Sequence, residues 1–285
     1  MLSRVADSLY WMSRYIERAE NVARFIDVNF HLMLDLSVKY QEQWEPLINI
    51  TADNEIFYQH YDVADKDNVI HFLTFDLNNP NSIVSCVKAA RENARSIRDT
   101  ISSEMWEQIN VFNLMLQDTS SSLDNIKAHH QLYTDIKMAS LLLAGITDAT
   151  MSHGESWHFC RLGRMLERAD KTTRLIDVKY FYLLPTVNYI GTPYDDMQWT
   201  SVLKSASGFE MYRKLYHRIS PEKVVKFLLL DRTFPRSVNY CLIKADESLH
   251  AISDSFAGTF TNKAEQSLGQ LRSELAFVEV NEIIA

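Results

Sequence analysis

The sequence predicts an all-α protein, a helical bundle made of two tandem duplicated halves related by an approximate two-fold. Three observations carry that expectation. Apolar residues recur at three- and four-residue steps over long stretches, as buried helix faces require. Glycine and proline are scarce, seven and six in 285 residues, which leaves few places to break a helix. One charged helical stretch is written twice: Arg14–Val28 reads RYIERAENVARFIDV and Arg164–Val178 reads RMLERADKTTRLIDV, with eight identities in fifteen positions.

Taken in order, residues 3–36 make the first helix, with Leu9, Met12, Ile16, Ala19, Ala23, Ile26 and Phe30 on one stripe. A second helical pattern follows Trp44 and a third covers 66–75. Pro80 suits a first helical turn, so a helix is expected through Arg98 with Asn78 as its cap. Helical patterns continue at 104–118 and 122–149, and Gly154 marks a break. The helix carrying the second copy runs over 155–183 and stops before Pro185. PTVNYIGTPYDD, residues 185–196, is the clearest loop. The last helices read at 197–217, 221–230, 236–256 and 262–282, with Pro221 and Pro235 near starts.

The repeat extends beyond the charged helix. Gln43-Trp44 matches Gln198-Trp199, and residues 72–99 match 227–254 at the same offset of 155. Phe72, Asp76, Pro80, Ser82, Cys86 and Glu92 there find Phe227, Asp231, Pro235, Ser237, Cys241 and Glu247. Three segments in one order at nearly constant spacing read as a single domain over 1–285, with internal repeats at about 1–150 and 151–285. If two such halves pack about a two-fold, their equivalent faces meet. Helix 3–36 is then expected against helix 155–183, roughly antiparallel, with Arg18 reaching Glu167 and Arg168 reaching Glu17.

Composition narrows the function. The formal charge is −8, which disfavours a sequence-independent nucleic-acid binder. Apolar runs such as LLLAGI at 141–146 are far too short for a bilayer, so no membrane span is expected. The first residues meet charges too early for a signal peptide, and Cys86, Cys160 and Cys241 form no CxxC pair. Reduced thiols and a cytoplasmic location follow as expectations. There is no glycine-rich phosphate loop and no Gly-x-Ser-x-Gly. His153, Glu155 and His158 lack the spacing that puts two imidazoles on one helix face, so no metal and no cofactor are assigned.

The candidate binding residues lie on the repeated stripe. Helical positions advance about 100° each, which gathers Glu17, Glu20, Arg24 and Asp27 within one arc and Glu167, Asp170, Arg174 and Asp177 within another. A plain reading makes these solvated faces with pairs such as Glu20–Arg24 and Arg24–Asp27, each worth roughly 0.2–0.5 kcal/mol. Arg18 departs from it, because it falls among Trp11, Val22 and Phe25 on the apolar side, where an arginine is a packed stem or a buried, paired cation. Arg14, Asn21, Arg164 and Arg168 complete the two motif sets, and Arg91, Glu92 and Asn93 belong to the repeated 72–99 segment. In DRTFPRSV, residues 231–238, Asp231 is expected to be buried and to fix the turn as Asp76 does. Thr233 would cap the next helix, and Arg232 and Arg236 could present guanidinium groups to an anion.

These motifs carry a resemblance. SLYWMSRYIERAENVARFIDV, RLGRMLERADKTTRLIDV, ARENARSIRD and LLDRTFPRSV together resemble the alpha-E family, bacterial all-helical proteins named for a Glu-Arg motif. The resemblance covers essentially the whole chain. It implies a gene neighbourhood with circularly permuted ATP-grasp proteins and transglutaminase-like proteins, hence a setting in which a peptide or amide bond is made, modified or broken. On that footing the expected partners are an ATP-grasp ligase, a transglutaminase-like protein and a peptide ligand. The expected role is a non-catalytic helical accessory or binding protein of that system. Two alternatives stand beside it. One is a hydrolase or transferase using the Glu17 and Glu167 carboxylates with their arginines, near Arg91, Glu92 and Asp231; acid and base would then need separated pKa values. The other is that the Glu-Arg motifs only hold the halves together.

Overall fold

The computed structural model describes residues 1–35, 43–119, 126–181 and 192–284. Every regular element among them is an α-helix. The two long ones carry the repeated stretch: α1 (Ser3–Asp35) and α8 (Glu155–Phe181). Leu9, Met12, Ile16, Ala19, Ala23, Ile26 and Phe30 are all buried, so the apolar stripe read from the sequence is the face α1 turns inward. Burying each large side chain of such a stripe contributes about 1.5–3 kcal/mol.

The helices α1 and α8 pack against each other at the centre of the molecule. They run parallel, not antiparallel as expected. Tyr10 abuts Gly163, Arg14 bonds Glu167 and Glu17 bonds Arg168, so contacts advance in the same order along both helices. Gly163 permits the close approach, since a Cβ there would drive into the Tyr10 carbonyl oxygen. Around this pair, α5 (Ile83–Ser96) lies on α1 and α12 (Val238–Ser253) lies on α8. Helices α6 (Ser103–Thr119) and α7 (Ile126–Thr150) close the α1 side, while α13 (Lys263–Phe277) packs on α12.

The smaller helices depart from the expected boundaries for local reasons. The pattern after Trp44 divides into α2 (Glu45–Thr51) and α3 (Asn54–His60) at Ala52, which takes a left-handed φ of 61°. The third pattern is α4 (Lys66–Thr74). Of the expected loop 185–196, residues 185–191 lie outside the described residues, as do the expected helix limits at 36, 122 and 183. From 193 onward the loop expectation fails: Thr192 caps α9 (Pro193–Ser205) by accepting from the Asp195 amide, and Pro193 opens the first turn. The expected helix 197–217 is two, α9 and α10 (Phe209–Tyr216), parted where Ser207 has a φ of 52°. Then come α11 (Pro221–Leu230) and, past α13, α14 (Val280–Ile284).

Both proline turns begin their helices later than expected. Ser82, not Asn78, caps α5, and Ser237, not Thr233, caps α12, each accepting from the amide three residues on. Pro80 and Pro235 therefore sit before the caps. The turns match in detail: Asp76 accepts from the Asn78 amide at 2.8 Å and Asp231 from the Thr233 amide at 2.7 Å. Cys86 and Cys241 direct their thiols at the carbonyls of Pro80 and Pro235. Asp76 is buried, whereas Asp231, expected to be buried, is only half-buried.

Candidate functional site

Where α1 and α8 touch, the Glu-Arg motifs cross over. Arg18 clamps Glu167 with Nε on one carboxylate oxygen at 2.7 Å and a terminal nitrogen on the other at 3.0 Å. Arg168 clamps Glu17 the same way, at 2.8 and 2.9 Å. Both glutamates are buried, and each arginine side chain is 13% exposed. Two-point guanidinium–carboxylate contact is the strong form of this interaction. The surplus donors are also used: Arg18 bonds Asn81 Oδ1 at 2.5 Å and Arg168 bonds the Pro235 carbonyl at 3.2 Å. The motif is neither a solvated face nor an isolated pair.

A second layer surrounds each glutamate. Arg14 adds a bond to Glu167 at 2.8 Å, with Lys171 3.8 Å away. On Glu17 the addition is Arg236, at 3.1 Å. Arg236 also bonds Asn21 Oδ1 at 2.9 Å and both oxygens of Glu20, at 2.7 and 2.6 Å. Arg24 pairs with Glu20 as well. Expected to offer itself to an anion, Arg236 is instead folded inward and consumed. The reason is local: two buried carboxylates, Glu17 and Glu20, lie within its reach and need a cation.

These fields set the charge states. Burial raises the Glu17 pKa, yet Arg168 and Arg236 outweigh it and hold the carboxyl at about 2, against an ordinary 4.5. Burial likewise opposes, and the arginines likewise overcome, at Glu20 and Glu167, both of which are lowered. Arg18 and Arg168 are raised by their glutamates despite desolvation. Burial pushes the thiols of Cys86 and Cys241 up to about 12 and that of Cys160 up to about 11.

Arg164 stands apart. It has no ion pair or hydrogen bond among the described residues, and its Nε is buried without a partner. Burial, and then the nearby Arg168, lower its pKa. It lines a cavity of about 40 Å³ between α1, α7 and α8, with Glu17, Ser140, Trp157 and Cys160 among the walls.

The other candidates scatter. Asp170 and Arg174 pair with each other along α8. Asp27 is buried and takes Lys137 at 2.6 Å and His130 at 2.7 Å, not the expected Arg24. His31 completes a carboxylate–imidazole group that could hold a cation, but the Lys137 ammonium already occupies one Asp27 oxygen. Asp177, the counterpart of Asp27, is exposed. Arg91 bonds Asn110 and Glu92 on the α5–α6 face, and neither it nor Asn93 joins the central network. Arg232 is exposed, and Asp231 serves the turn. Sequence reasoning missed the buried Lys179, held by Asp195 at 2.9 Å and Gln198 at 2.6 Å, although the repeated Gln-Trp dipeptide pointed to that corner.

The Alpha-E family model, described as a predicted alpha-helical domain with a conserved ER motif, matches residues 1–285. The chain belongs to the Alpha-E family. Uncharacterized proteins of Mycobacterium bovis and Mycobacterium tuberculosis are similar to it, at 25% and 24% identity over 95% of the chain. The chain spans 32% of the length of these relatives. No solved structure matches it. No helix among the described residues is long and apolar enough to cross a membrane.

Proposed function

We propose that this Alpha-E chain is a non-catalytic helical accessory protein of an amide-bond-forming system, acting in the cytoplasm beside an ATP-grasp ligase. The partner class rests on the resemblance of its motifs. The non-catalytic role rests on one observation: each motif glutamate is clamped bidentately by the arginine of the other helix. A general acid at neutral pH needs a carboxyl raised toward 7, and Glu17 is driven the opposite way. Thiols held near 11 and 12 are equally unsuited to attack.

The same contacts support two duplicated halves about an approximate two-fold. Arg18 meets Glu167 while Arg168 meets Glu17, the reciprocity expected when like faces pair. The motif is then the seam of the molecule, leaving the outer helices to meet the partner. The test is direct mixing of the purified chain with a circularly permuted ATP-grasp protein from the same organism, read by light scattering and by a peptide-hydrolysis assay. A stable complex with no turnover by this chain alone is expected. Turnover by the chain alone, or no complex at micromolar concentrations, would overturn the reading.

A further inference from the structure

The unpaired Arg164 and its cavity have a common cause. In the first motif copy Arg14 bonds Glu167 alongside Arg18. Its counterpart Arg164 would do the same to Glu17, but Arg236 holds that place. The residue matching Arg236 in the other turn is Asn81, which carries no charge and bonds Arg18 and Asp53 instead. On the Glu17 side Arg168, Arg236 and Arg24 thus already satisfy Glu17 and Glu20, and no carboxylate is left for Arg164. Arg164 remains, with a buried Nε lacking an acceptor and with another cation nearby. A buried donor left unmade is costly, and the vacant space lies beside it.

From this geometry we infer that the cavity between α1, α7 and α8 binds a carboxylate group, with Arg164 as its principal counter-ion. The wall composition fits one negative charge. Glu17 and Glu20 also line the cavity, but Arg168, Arg236 and Arg24 already neutralise them. Arg161, the third arginine of the wall, is spent on Glu247 at 2.9 Å. Size selects the group. A buried water needs at least about 10–15 Å³ of such space, so 40 Å³ takes about three heavy atoms, the size of a carboxylate. A phosphate monoester has five. Met12, Ile16, Leu143, Ala144 and Trp157 make the remaining wall apolar and offer no further polar partner, so the ligand is a small monocarboxylate of the size of formate or acetate. The site stands whether or not the accessory reading does, because it needs no ligase.

The experiment is calorimetric titration of the full chain with acetate, with its neutral amide and with inorganic phosphate. Saturable binding of the carboxylate is expected, with the amide at least tenfold weaker and phosphate weaker still. Arg164→Gln should lose at least tenfold in carboxylate affinity while keeping its helical circular dichroism. Ala144→Phe, which puts a ring on the cavity wall and leaves Arg164 in place, should lose binding as well and covers the case of a misfolded Arg164 variant. Equal binding of acid and amide, tighter binding of phosphate, or undiminished affinity in either folded variant would overturn the site. Failure to bind a ligase would leave it standing.

Discussion

Glu17 and Glu167 hold matching positions in the two motif copies, yet different cations neutralise them. Glu167 receives Arg18 and Arg14, both from α1. Glu17 receives Arg168 from α8 and Arg236 from the turn before α12. A reciprocal scaffold can therefore stay intact while one side is rewired. The Glu167 side is closed by the first motif copy alone. On the Glu17 side a turn residue has taken over, which ties that turn to α1 and releases Arg164.

The largest way to break this contrast is Arg236→Met. Arg236 is buried and serves Glu17, Glu20 and Asn21 together. Removing it strands buried charge, and unfolding free energy in urea should fall by about 3–5 kcal/mol. Asn81→Ala, at the matching turn position, should cost about 1 kcal/mol. Equal losses at the two positions would mean that the turns are interchangeable and the asymmetry without consequence.

Acid should act through the same carboxylates. Glu17 has a folded pKa near 2 against an ordinary 4.5. Its contribution is fully present above pH 4.5 and is lost as pH falls toward 2, a change of about 3 kcal/mol at the end of the window. Glu20 and Glu167 are also lowered and act in the same direction. Thermal melts from pH 7 to pH 2.5 should drop steeply below pH 4.5. The slope should be shallower in Glu17→Gln; an unaltered slope in that variant would show that Glu17 is not held down.

Much of this seam was legible in the sequence, and the reasons differ by residue. Arg18 sits on the apolar side of its helix wheel, so a buried partner was demanded, and the repeat named Glu167. The antiparallel direction was misread because reciprocal pairing is satisfied by a two-fold across the helices or along them. The order of contacts along the helices distinguishes the two, with Gly163 on Tyr10 ahead of Arg14 on Glu167 and Glu17 on Arg168. Nothing in DRTFPRSV says which way Arg236 turns. The one signal was that an arginine replaces Asn81 in otherwise matching turns. Asp27 and Asp177 look alike in sequence, but α7 supplies Lys137 to the first while the second faces solvent. Such partners come from 110 residues away and leave no local trace.

The reciprocal clamps set the next scale. Arg18→Ala should cost more than about 2 kcal/mol, since it leaves Glu167 with only Arg14 and a distant Lys171. Adding Glu167→Ala should cost much less than the sum of the two single changes. The cycle on Arg168 and Glu17 should show weaker coupling, because Arg236 partly replaces Arg168 at Glu17. Additive losses in both cycles would refute the clamps. Identical coupling would refute the contrast between the two sides.

The smallest effect is the most diagnostic. Arg164 has no partner among the described residues, and the relief of its unpaired buried donor offsets the lost packing of its stem, so Arg164→Gln should change stability by less than about 0.5 kcal/mol. Arg14→Gln, at the matching position, should cost about 1–2 kcal/mol, because Arg14 bonds a fully buried carboxylate. The two positions should converge once the turn is restored. In an Arg236→Asn background Glu17 loses its second cation, and Arg164 is the nearest arginine left without a partner. Arg164→Gln should then cost more than about 1 kcal/mol, where alone it cost almost nothing, and the non-additivity measures the rewiring. Should Arg164→Gln stay neutral in that background, Arg164 does not stand in for Arg236, and its isolation has a cause other than displacement from Glu17.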